Sequence, residues 1–306
     1  MPEDTLDLHG IYPPVPTFFD ASGDLDVATL RGHIRRLTEP GNCWVAGIVA
    51  LGSNGEAAHL DDAERDTVIR VIREATPTEI PVLAGASAQS TRGTIALCEA
   101  AAQSGAAAAL VLPPSYFRSQ MSQQALVRHY HTVADASPIP IVIYNMPAST
   151  GGLDLDAATI LAIGEHARVI GVKDSAGNIT KVAEIAGQAR PGFRTLAGSA
   201  SFLLPTLVVG GVGAVAALAN ILPRQCHDLI ELFRQGKLDE ARELQARLVP
   251  LNTAVTSGYG VPGLKAALDL SAGYGGAPRS PLLALGDKER EQLKRLLTLA
   301  NPAWQN

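Results

Sequence analysis

The sequence predicts an α/β protein with a (β/α)₈ barrel over residues 1–222 and a C-terminal helical extension over residues 223–306. Three observations carry this prediction. Short apolar runs recur eight times in the first part of the chain, segments with helical spacing lie between them, and from Pro223 onward only helical patterns remain. Eight alternating strand and helix units are typical of a closed parallel barrel.

The eight predicted strands are short runs rich in Val and Ile. Their apolar residues are continuous rather than alternating, which indicates parallel strands covered on both faces. In chain order the runs are residues 11–17, 44–51, 81–85, 107–112, 139–144, 169–173, 194–197 and 213–218.

Amphipathic segments fill the intervals between these strands and end near Gly or Pro, as helices do. The clearest are residues 63–75, 94–104, 121–134 and 181–188. Asp61 is the expected N-cap of the first segment, because Glu64 follows it at the spacing of a capping box. The helical extension comprises residues 224–235, 238–253, 263–270 and 287–300, with a stretch rich in Gly and Pro at residues 273–281.

One stretch matches a sequence motif of a different fold. Residues 211–216 match the G-x-G-x-x-A fingerprint of a dinucleotide-binding turn. Such a turn leaves a strand and opens a helix, whereas this stretch lies late in the chain and leads into an apolar run. The barrel therefore remains the favoured prediction.

Composition and charge narrow the class of function. The chain has 306 residues, 46% of them hydrophobic, and a formal net charge of -5. No basic run is present that would bind nucleic acid or an anionic membrane surface, so a small-molecule partner is expected. The acidic N-terminus does not resemble a signal peptide, and Gly and Pro interrupt the longest apolar runs, so no membrane span is predicted.

Cysteines and histidines give little support for disulfides or metal ions. Cys43, Cys98 and Cys226 lie far apart and lack C-x-x-C spacing, which fits a reducing cytoplasm and argues against a zinc site. His129 and His131 stand two residues apart on a predicted helix and so face different directions. Metal-dependent chemistry is therefore disfavoured.

Polar residues stand at the carboxyl ends of four predicted strands, where barrel enzymes carry their catalytic groups. Residues 52–56, Gly-Ser-Asn-Gly-Glu, follow the second strand, and residues 113–116, Pro-Pro-Ser-Tyr, follow the fourth. Tyr144 ends the fifth strand and Lys173 the sixth. These groups are expected to face one rim of the barrel.

Lys173 is the most informative of these residues. A lysine that closes a buried strand is placed for Schiff-base chemistry, because the attack on a carbonyl requires a neutral amine rather than a solvated ammonium group. The simpler interpretation is a strand end that reaches water. The other residues at the rim favour the first interpretation.

Three other residues of the rim could supply the binding and proton-transfer groups that such an amine needs. Ser53 and Asn54 offer donors that can hold a carboxylate, although the same residues are common in plain turns. Tyr144 precedes Lys173 by one strand and helix unit, and its phenol can relay protons. A core tyrosine with its hydroxyl at the surface is the ordinary alternative.

Taken together, these motifs are recognisable. The chain resembles the dihydrodipicolinate synthase and N-acetylneuraminate lyase family of class I pyruvate-type aldolases over nearly its full length. The resemblance implies a lyase that forms a Schiff base with a 2-oxo acid, uses no cofactor or metal, and assembles as a homodimer or homotetramer. The matching motifs are residues 52–56, 144–147 (Tyr-Asn-Met-Pro), 171–174 (Gly-Val-Lys-Asp) and 197–199 (Ala-Gly-Ser).

The resemblance also implies a role for each site residue. Lys173 would form the imine, Tyr144 would shuttle protons, and Tyr116 would complete the proton relay from a neighbouring subunit. Ser53 and Asn54 would hold the substrate carboxylate. The remaining positions implied in substrate binding are Gly52, Gly198 and Val215, the last through its backbone carbonyl.

Departures from the family pattern bear on the substrate. The lysine-pathway synthases carry Thr-Thr in the binding loop and, after Tyr-Asn-x-Pro, an Arg that grips a distal carboxylate. This chain has Ser53-Asn54 and Ser149 instead. Its loop, with residues 196–200, 217–220 and 260–265, looks most like that of 4-hydroxy-2-oxoglutarate aldolases, which release pyruvate and glyoxylate.

That aldolase activity is the prediction from the sequence. Dihydrodipicolinate synthase and a 2-keto-3-deoxy sugar-acid aldolase or dehydratase remain alternatives within the enzyme class. A sensor that binds a 2-oxo acid on an inherited barrel is the alternative outside it.

Overall fold

Eight parallel strands form the centre of the protein in a computed structural model, which describes residues 6–39, 41 and 44–303. Each strand pairs with the next along the chain from β2 to β8, and β8 pairs with β1. The strands are β1 (Gly10–Tyr12), β2 (Ile48–Ala50), β3 (Val82–Gly85), β4 (Ala108–Val111), β5 (Ile141–Asn145), β6 (Val169–Asp174), β7 (Arg194–Ala197) and β8 (Gly213–Val215).

Backbone hydrogen bonds close the ring between β1 and β2. The N–H groups of Ala46 and Val49 donate to the carbonyls of Ile11 and Pro13 at 2.8 and 3.0 Å. The predicted (β/α)₈ barrel is confirmed.

All eight predicted runs overlap these strands, although several strands are shorter than their runs. In the first run, Pro13 and Pro14 follow the end of β1 and have no N–H to donate to a neighbouring strand. Val15 and Thr17 are nevertheless buried. Apolar composition therefore extends past the hydrogen-bonded part of the strand.

Helices cover the barrel between successive strands and continue after β8. All four helical segments predicted within the barrel overlap α2, α3, α4 or α6, and the Asp61–Glu64 capping box is present at the start of α2. The helices are α1 (Val27–Leu37), α2 (Asp62–Ala75), α3 (Thr91–Gln103), α4 (Gln123–Ala136), α5 (Ala157–Gly164), α6 (Ile179–Gln188), α7 (Leu203–Val208), α8 (Pro223–Arg234), α9 (Leu238–Thr253), α10 (Gly260–Ala272) and α11 (Asp287–Ala300).

The C-terminal helices lie against the barrel. Helix α8 packs on β1 and on α9, and α11 packs on both α9 and α10. A π-helical turn, Ala254–Gly258, joins α9 to α10, and α10 contacts the 3₁₀ turn Ser53–Gly55 that follows β2. The division after residue 222 stays a prediction, since the helix that follows it is itself packed on the barrel.

The interior of the barrel gives the rim a rigid base. Its apolar cluster includes Tyr144 at the carboxyl end of β5. Burying one Leu or Ile side chain stabilises a fold by roughly 1.5–3 kcal/mol. Other members from seven strands are Tyr12, Val49, Leu83, Leu110, Val142, Leu196 and Val215.

Within the described residues, every helix is either too short or too polar to cross a membrane.

Candidate active site

Lys173 and Tyr144 form the centre of the candidate site. They are paired positions on β6 and β5, so their side chains lie next to each other at the rim. Each residue is 4% exposed, and Lys173 Nζ lies 3.8 Å from the centroid of the Tyr144 ring. Among the described residues Lys173 has no carboxylate partner, and the adjacent Asp174 pairs with Lys181 at 2.9 Å. The amine is left facing the phenol.

Ser53 brings the end of β2 to the same point. Its Oγ lies 3.2 Å from the Tyr144 hydroxyl, and either group can be the donor. Both hydroxyls also contact Met146 Sδ. The structure thus places a hydroxyl pair and an amine at one part of the rim, which is the arrangement that moves protons to and from a bound carbonyl compound.

The turn that carries Ser53 is bracketed by two left-handed residues. Leu51 has a φ of 54° and Glu56 a φ of 51°, a conformation that costs on the order of 1–3 kcal/mol for a residue with a Cβ. Gly85 makes the first one possible, because a Cβ there would lie 2.0 Å from the Leu51 carbonyl oxygen. At the far end, Thr17 Oγ1 donates to the Gly55 carbonyl at 2.7 Å.

A polar network lies at the ends of β5 and β6, with Asn145, Asp174 and Lys181 buried and Asp154 exposed. Asn145 Nδ2 donates to Asp154 Oδ1 at 2.7 Å and to Asp174 Oδ2 at 2.8 Å. Lys181 pairs with both carboxylates, at 2.5 and 2.9 Å. Since Asn145 and Asp174 each follow a proposed catalytic residue, the network fixes the strand ends from which Tyr144 and Lys173 project. The sequence analysis missed it, although two polar residues closing apolar strands were a usable signal.

A cavity of about 490 Å³ opens at this rim. Its cationic lining residues include Arg65, whose guanidinium donates to the carbonyls of Ala57 and Gly85 at 3.0 and 2.9 Å. Much of the lining is neutral and polar or apolar, and two residues come from the C-terminal extension. These lining residues include Gly52, Ser53, Ser87, Gln89, Ser115, Tyr144, Ser149 and Thr150, with Val261 and Leu282 from the extension.

Among the described residues, four other predicted site residues form no hydrogen bond with the side chains of Lys173, Tyr144 and Ser53. Tyr116 is 81% exposed after β4 and packs edge-on against Phe117. Asn54 is half-buried on the turn, and Val215 is buried at the end of β8. Gly198 follows β7, and its N–H donates to the Asp174 carbonyl at 2.6 Å.

Ser175 is a further polar group that the sequence analysis missed. Its Oγ is buried and has no hydrogen-bond partner among the described residues. A Cβ on Gly198 would lie 1.9 Å from that oxygen, so the glycine leaves room for it. A small polar residue two positions after Lys173 was the available signal.

Comparison with known proteins identifies the family to which the chain belongs. Residues 7–300 match the Dihydrodipicolinate synthetase family. A probable mitochondrial 4-hydroxy-2-oxoglutarate aldolase from Emericella nidulans is 45% identical, with 93% of this chain and 92% of the relative covered. An L-threo-3-deoxy-hexylosonate aldolase from Hypocrea jecorina is 41% identical, with 90% of each chain covered.

Solved structures agree with the sequence match. A dihydrodipicolinate synthase from Bacillus anthracis superposes with a TM-score of 0.90 at 25% identity, covering 96% of this chain and 99% of that one. The corresponding enzyme from Thermotoga maritima gives a TM-score of 0.89 at 28% identity, with 96% and 99% covered. Since the match runs through the barrel and the extension alike, the chain belongs to the dihydrodipicolinate synthetase family and is an enzyme of the class I aldolase and lyase type.

Proposed function

We propose that the protein is a Schiff-base 2-oxo-acid aldolase that cleaves 4-hydroxy-2-oxoglutarate to pyruvate and glyoxylate. The observation that carries the proposal is the grouping of Lys173 Nζ, the Tyr144 ring and the Ser53 hydroxyl at one rim of the barrel. The 45% identity to a probable 4-hydroxy-2-oxoglutarate aldolase supports the choice of substrate.

Lys173 begins the reaction as a nucleophile. Its amine attacks C2 of the substrate, and the carbinolamine that forms loses water to give a protonated imine. Two proton transfers are required, one to the departing hydroxyl and one from nitrogen. We assign both transfers to Tyr144, and its contacts support the assignment, since its ring lies against Nζ and its hydroxyl lies 3.2 Å from Ser53 Oγ.

The imine then accepts the electrons of the broken carbon–carbon bond. Tyr144, which is a phenolate after its proton has left with the departing water, accepts the proton of the C4 hydroxyl as the C3–C4 bond breaks. Glyoxylate leaves, and the electron pair is delocalised through C3 and C2 onto the imine nitrogen as an enamine. Tyr144 then returns the proton to C3, and hydrolysis of the imine releases pyruvate and restores the Lys173 amine and the Tyr144 phenol. No metal is needed to stabilise the carbanion.

The substrate carboxylate is assigned to the turn after β2. Ser53 and Asn54 hold it, with Gly52 giving close access to the backbone, and Gly198 and the Val215 carbonyl complete the pocket. Neutral donors can bind a carboxylate without a cation when several of them converge. With the carboxylate bound at the turn, the aldehyde half of the substrate would lie at the mouth of the cavity.

The residues at the mouth bear on the choice of substrate. Ser149 stands where the lysine-pathway synthases carry an Arg, and a serine hydroxyl cannot form the bidentate pair that a distal carboxylate prefers. Dihydrodipicolinate synthase activity is therefore the weaker candidate. Neutral polar groups such as Gln89, Ser115 and Ser149 also suit a hydroxylated chain, which favours a 3-deoxy-2-ulosonate, as aldolase or dehydratase substrate, as the second candidate.

Assembly and location are part of the same proposal. We infer a homodimer or homotetramer in which the exposed Tyr116 enters the site of a neighbouring subunit. We also infer a cytoplasmic location, although the name of the Emericella relative places that protein in mitochondria. Sedimentation velocity tests the first inference, and cell fractionation the second.

Two measurements test the proposed activity. Sodium borohydride with pyruvate should add a reduced pyruvyl group to Lys173, visible by peptide mass spectrometry and absent from Lys173→Ala. Release of pyruvate, coupled to lactate dehydrogenase, should be faster from 4-hydroxy-2-oxoglutarate than from a 3-deoxy-2-hexulosonate, and condensation of pyruvate with aspartate semialdehyde should be slower still. A wild-type protein that forms no adduct would refute the proposal.

A further inference from the structure

The turn that carries Ser53 and Asn54 ends on a strained residue. Glu56 lies in the left-handed region, with φ 51° and ψ 33°, which residues with a Cβ rarely occupy. Such a residue persists only when its surroundings hold it there. The groups that hold the Glu56 side chain come largely from the C-terminal extension.

Each oxygen of the Glu56 carboxylate contacts a group of the C-terminal extension, one through an ion pair and the other through a hydrogen bond. Oε1 lies 2.6 Å from Lys265 Nζ on α10, and Oε2 accepts the backbone N–H of Arg279 at 2.8 Å. The side chains of Glu56 and Lys265 are almost completely buried. The remaining Lys265 contacts are with the Ala277 carbonyl at 3.0 Å and the Phe19 ring, whose centroid is 4.4 Å away.

A buried ion pair is a poor source of stability. The free energy lost when two charges leave water is often as large as their attraction, so an apolar pair of the same size would hold the fold as well. What a carboxylate with a cation at one oxygen and a backbone N–H donor at the other adds is a constraint on its direction. Here that direction is imposed on the residue that closes the turn Ser53–Gly55, and α10 contacts the same turn.

We propose that Glu56 is a positioning residue: held by Lys265, it orients the turn Ser53–Gly55 and so sets the affinity of the site for the substrate carboxylate. The inference rests on the proposed function, because it takes this turn to be the carboxylate-binding element. If Glu56 acts in this way, the C-terminal extension contributes to substrate binding, because it supplies Lys265.

The test separates carboxylate affinity from folding. The variants are Glu56→Gln, the double variant Glu56→Gln/Lys265→Met, and the control Asp269→Asn. Asp269 lies one turn beyond Lys265 on α10 and pairs with Arg290 of α11 at 2.5 Å. The control therefore breaks an ion pair of the same helix that does not involve the turn.

Two quantities are measured for each full-length protein: the pyruvate concentration that half-saturates borohydride trapping at Lys173, and the KM and kcat of pyruvate release. A rise in KM at nearly constant kcat marks the loss of binding that ground state and transition state share. We expect both concentrations to rise about tenfold in the single and double variants, which corresponds to about 1.4 kcal/mol. The control should match the wild type.

Other outcomes overturn the inference. If Glu56→Gln traps pyruvate at the wild-type concentration, or if only the number of active sites falls while KM is unchanged, the pair is purely structural. Should Glu56→Gln fail to fold, the double variant decides, since it leaves no unpaired buried charge. A wild-type protein that forms no adduct refutes the proposed function itself, and this inference falls with it.

Discussion

His33 is expected to make the free energy of unfolding depend on pH. The side chain is completely buried, with Nδ1 3.0 Å from the Tyr274 hydroxyl and Nε2 3.0 Å from Asn220 Oδ1. Because Asn220 Nδ2 donates to two backbone carbonyls, its Oδ1 accepts from Nε2–H. Nδ1 then accepts from Tyr274, whose oxygen accepts from Arg36 Nε at 2.6 Å. Every donor here has an acceptor only while His33 is neutral.

The magnitude follows from the pKa of this imidazole. Burial, and after it the charge of Arg36, lowers the pKa of His33 from 6.5 to about 3. Between these values the unfolded chain binds the proton and the folded protein does not, so stability falls as the pH falls. At 1.36 kcal/mol per pKa unit the full loss is on the order of 5 kcal/mol, and the slope at mid-range is about 1.4 kcal/mol per pH unit.

The assay compares urea unfolding at 25 °C from pH 7.5 to pH 4 for three proteins: wild type, His33→Gln and the control His9→Gln, which changes an exposed histidine. Wild type and control should lose about 1 kcal/mol per pH unit more than His33→Gln below pH 6. Burial also lowers the pKa of His129 to about 4, and this contribution is the same in all three proteins. Parallel curves for wild type and His33→Gln would refute the reasoning.

Substitutions at the rim separate chemistry, folding and substrate choice. Tyr144→Phe should lower the kcat of pyruvate release by about 10²- to 10⁴-fold through loss of proton transfer, and a kcat within tenfold of wild type would contradict the relay. Gly85→Ala places a Cβ 2.0 Å from the Leu51 carbonyl oxygen and should lower the free energy of urea unfolding by about 1–3 kcal/mol, whereas Gly187→Ala, with open space around its Cβ, should not. Ser149→Arg should raise the ratio of aspartate semialdehyde condensation to pyruvate release from 4-hydroxy-2-oxoglutarate, and an unchanged ratio would show that this position does not choose the substrate.

The strands and the groups at their ends were accessible from the sequence because each depends on a local pattern. A run of Val and Ile marks a buried strand, and the carboxyl ends of parallel strands meet at one rim. Tyr144 and Lys173 could therefore be placed near each other before the fold was known. Helix α5 was not predicted because its eight residues are nearly all apolar. A helix without a polar face lacks the amphipathic period that marks a helix in sequence.

Contacts between distant segments could not be predicted in this way. Lys265 lies among apolar residues of α10, where a lone lysine is ordinarily interpreted as a side chain that reaches water. Only the fold shows that it meets Glu56. Leu51 is a similar case, because a left-handed leucine has no signature in sequence and depends on the close approach of Gly85.

Lys173 and Tyr144 stand on strands, whereas the residues at the cavity mouth stand on loops and on the C-terminal extension. This separation explains how relatives with different substrates in their names can share one fold. In the proposed mechanism the imine chemistry depends on Lys173 and Tyr144, which are paired positions on strands β6 and β5. The same proposal assigns the aldehyde half of the substrate to the cavity mouth, which is lined by Ser149 on a loop and by Val261 and Leu282 of the extension. Loop residues change without disturbing the strands, so a new substrate requires new side chains at the mouth and an unchanged amine below. Tyr144→Phe and Ser149→Arg should accordingly have separable effects, the first on turnover of every substrate and the second on the choice among them.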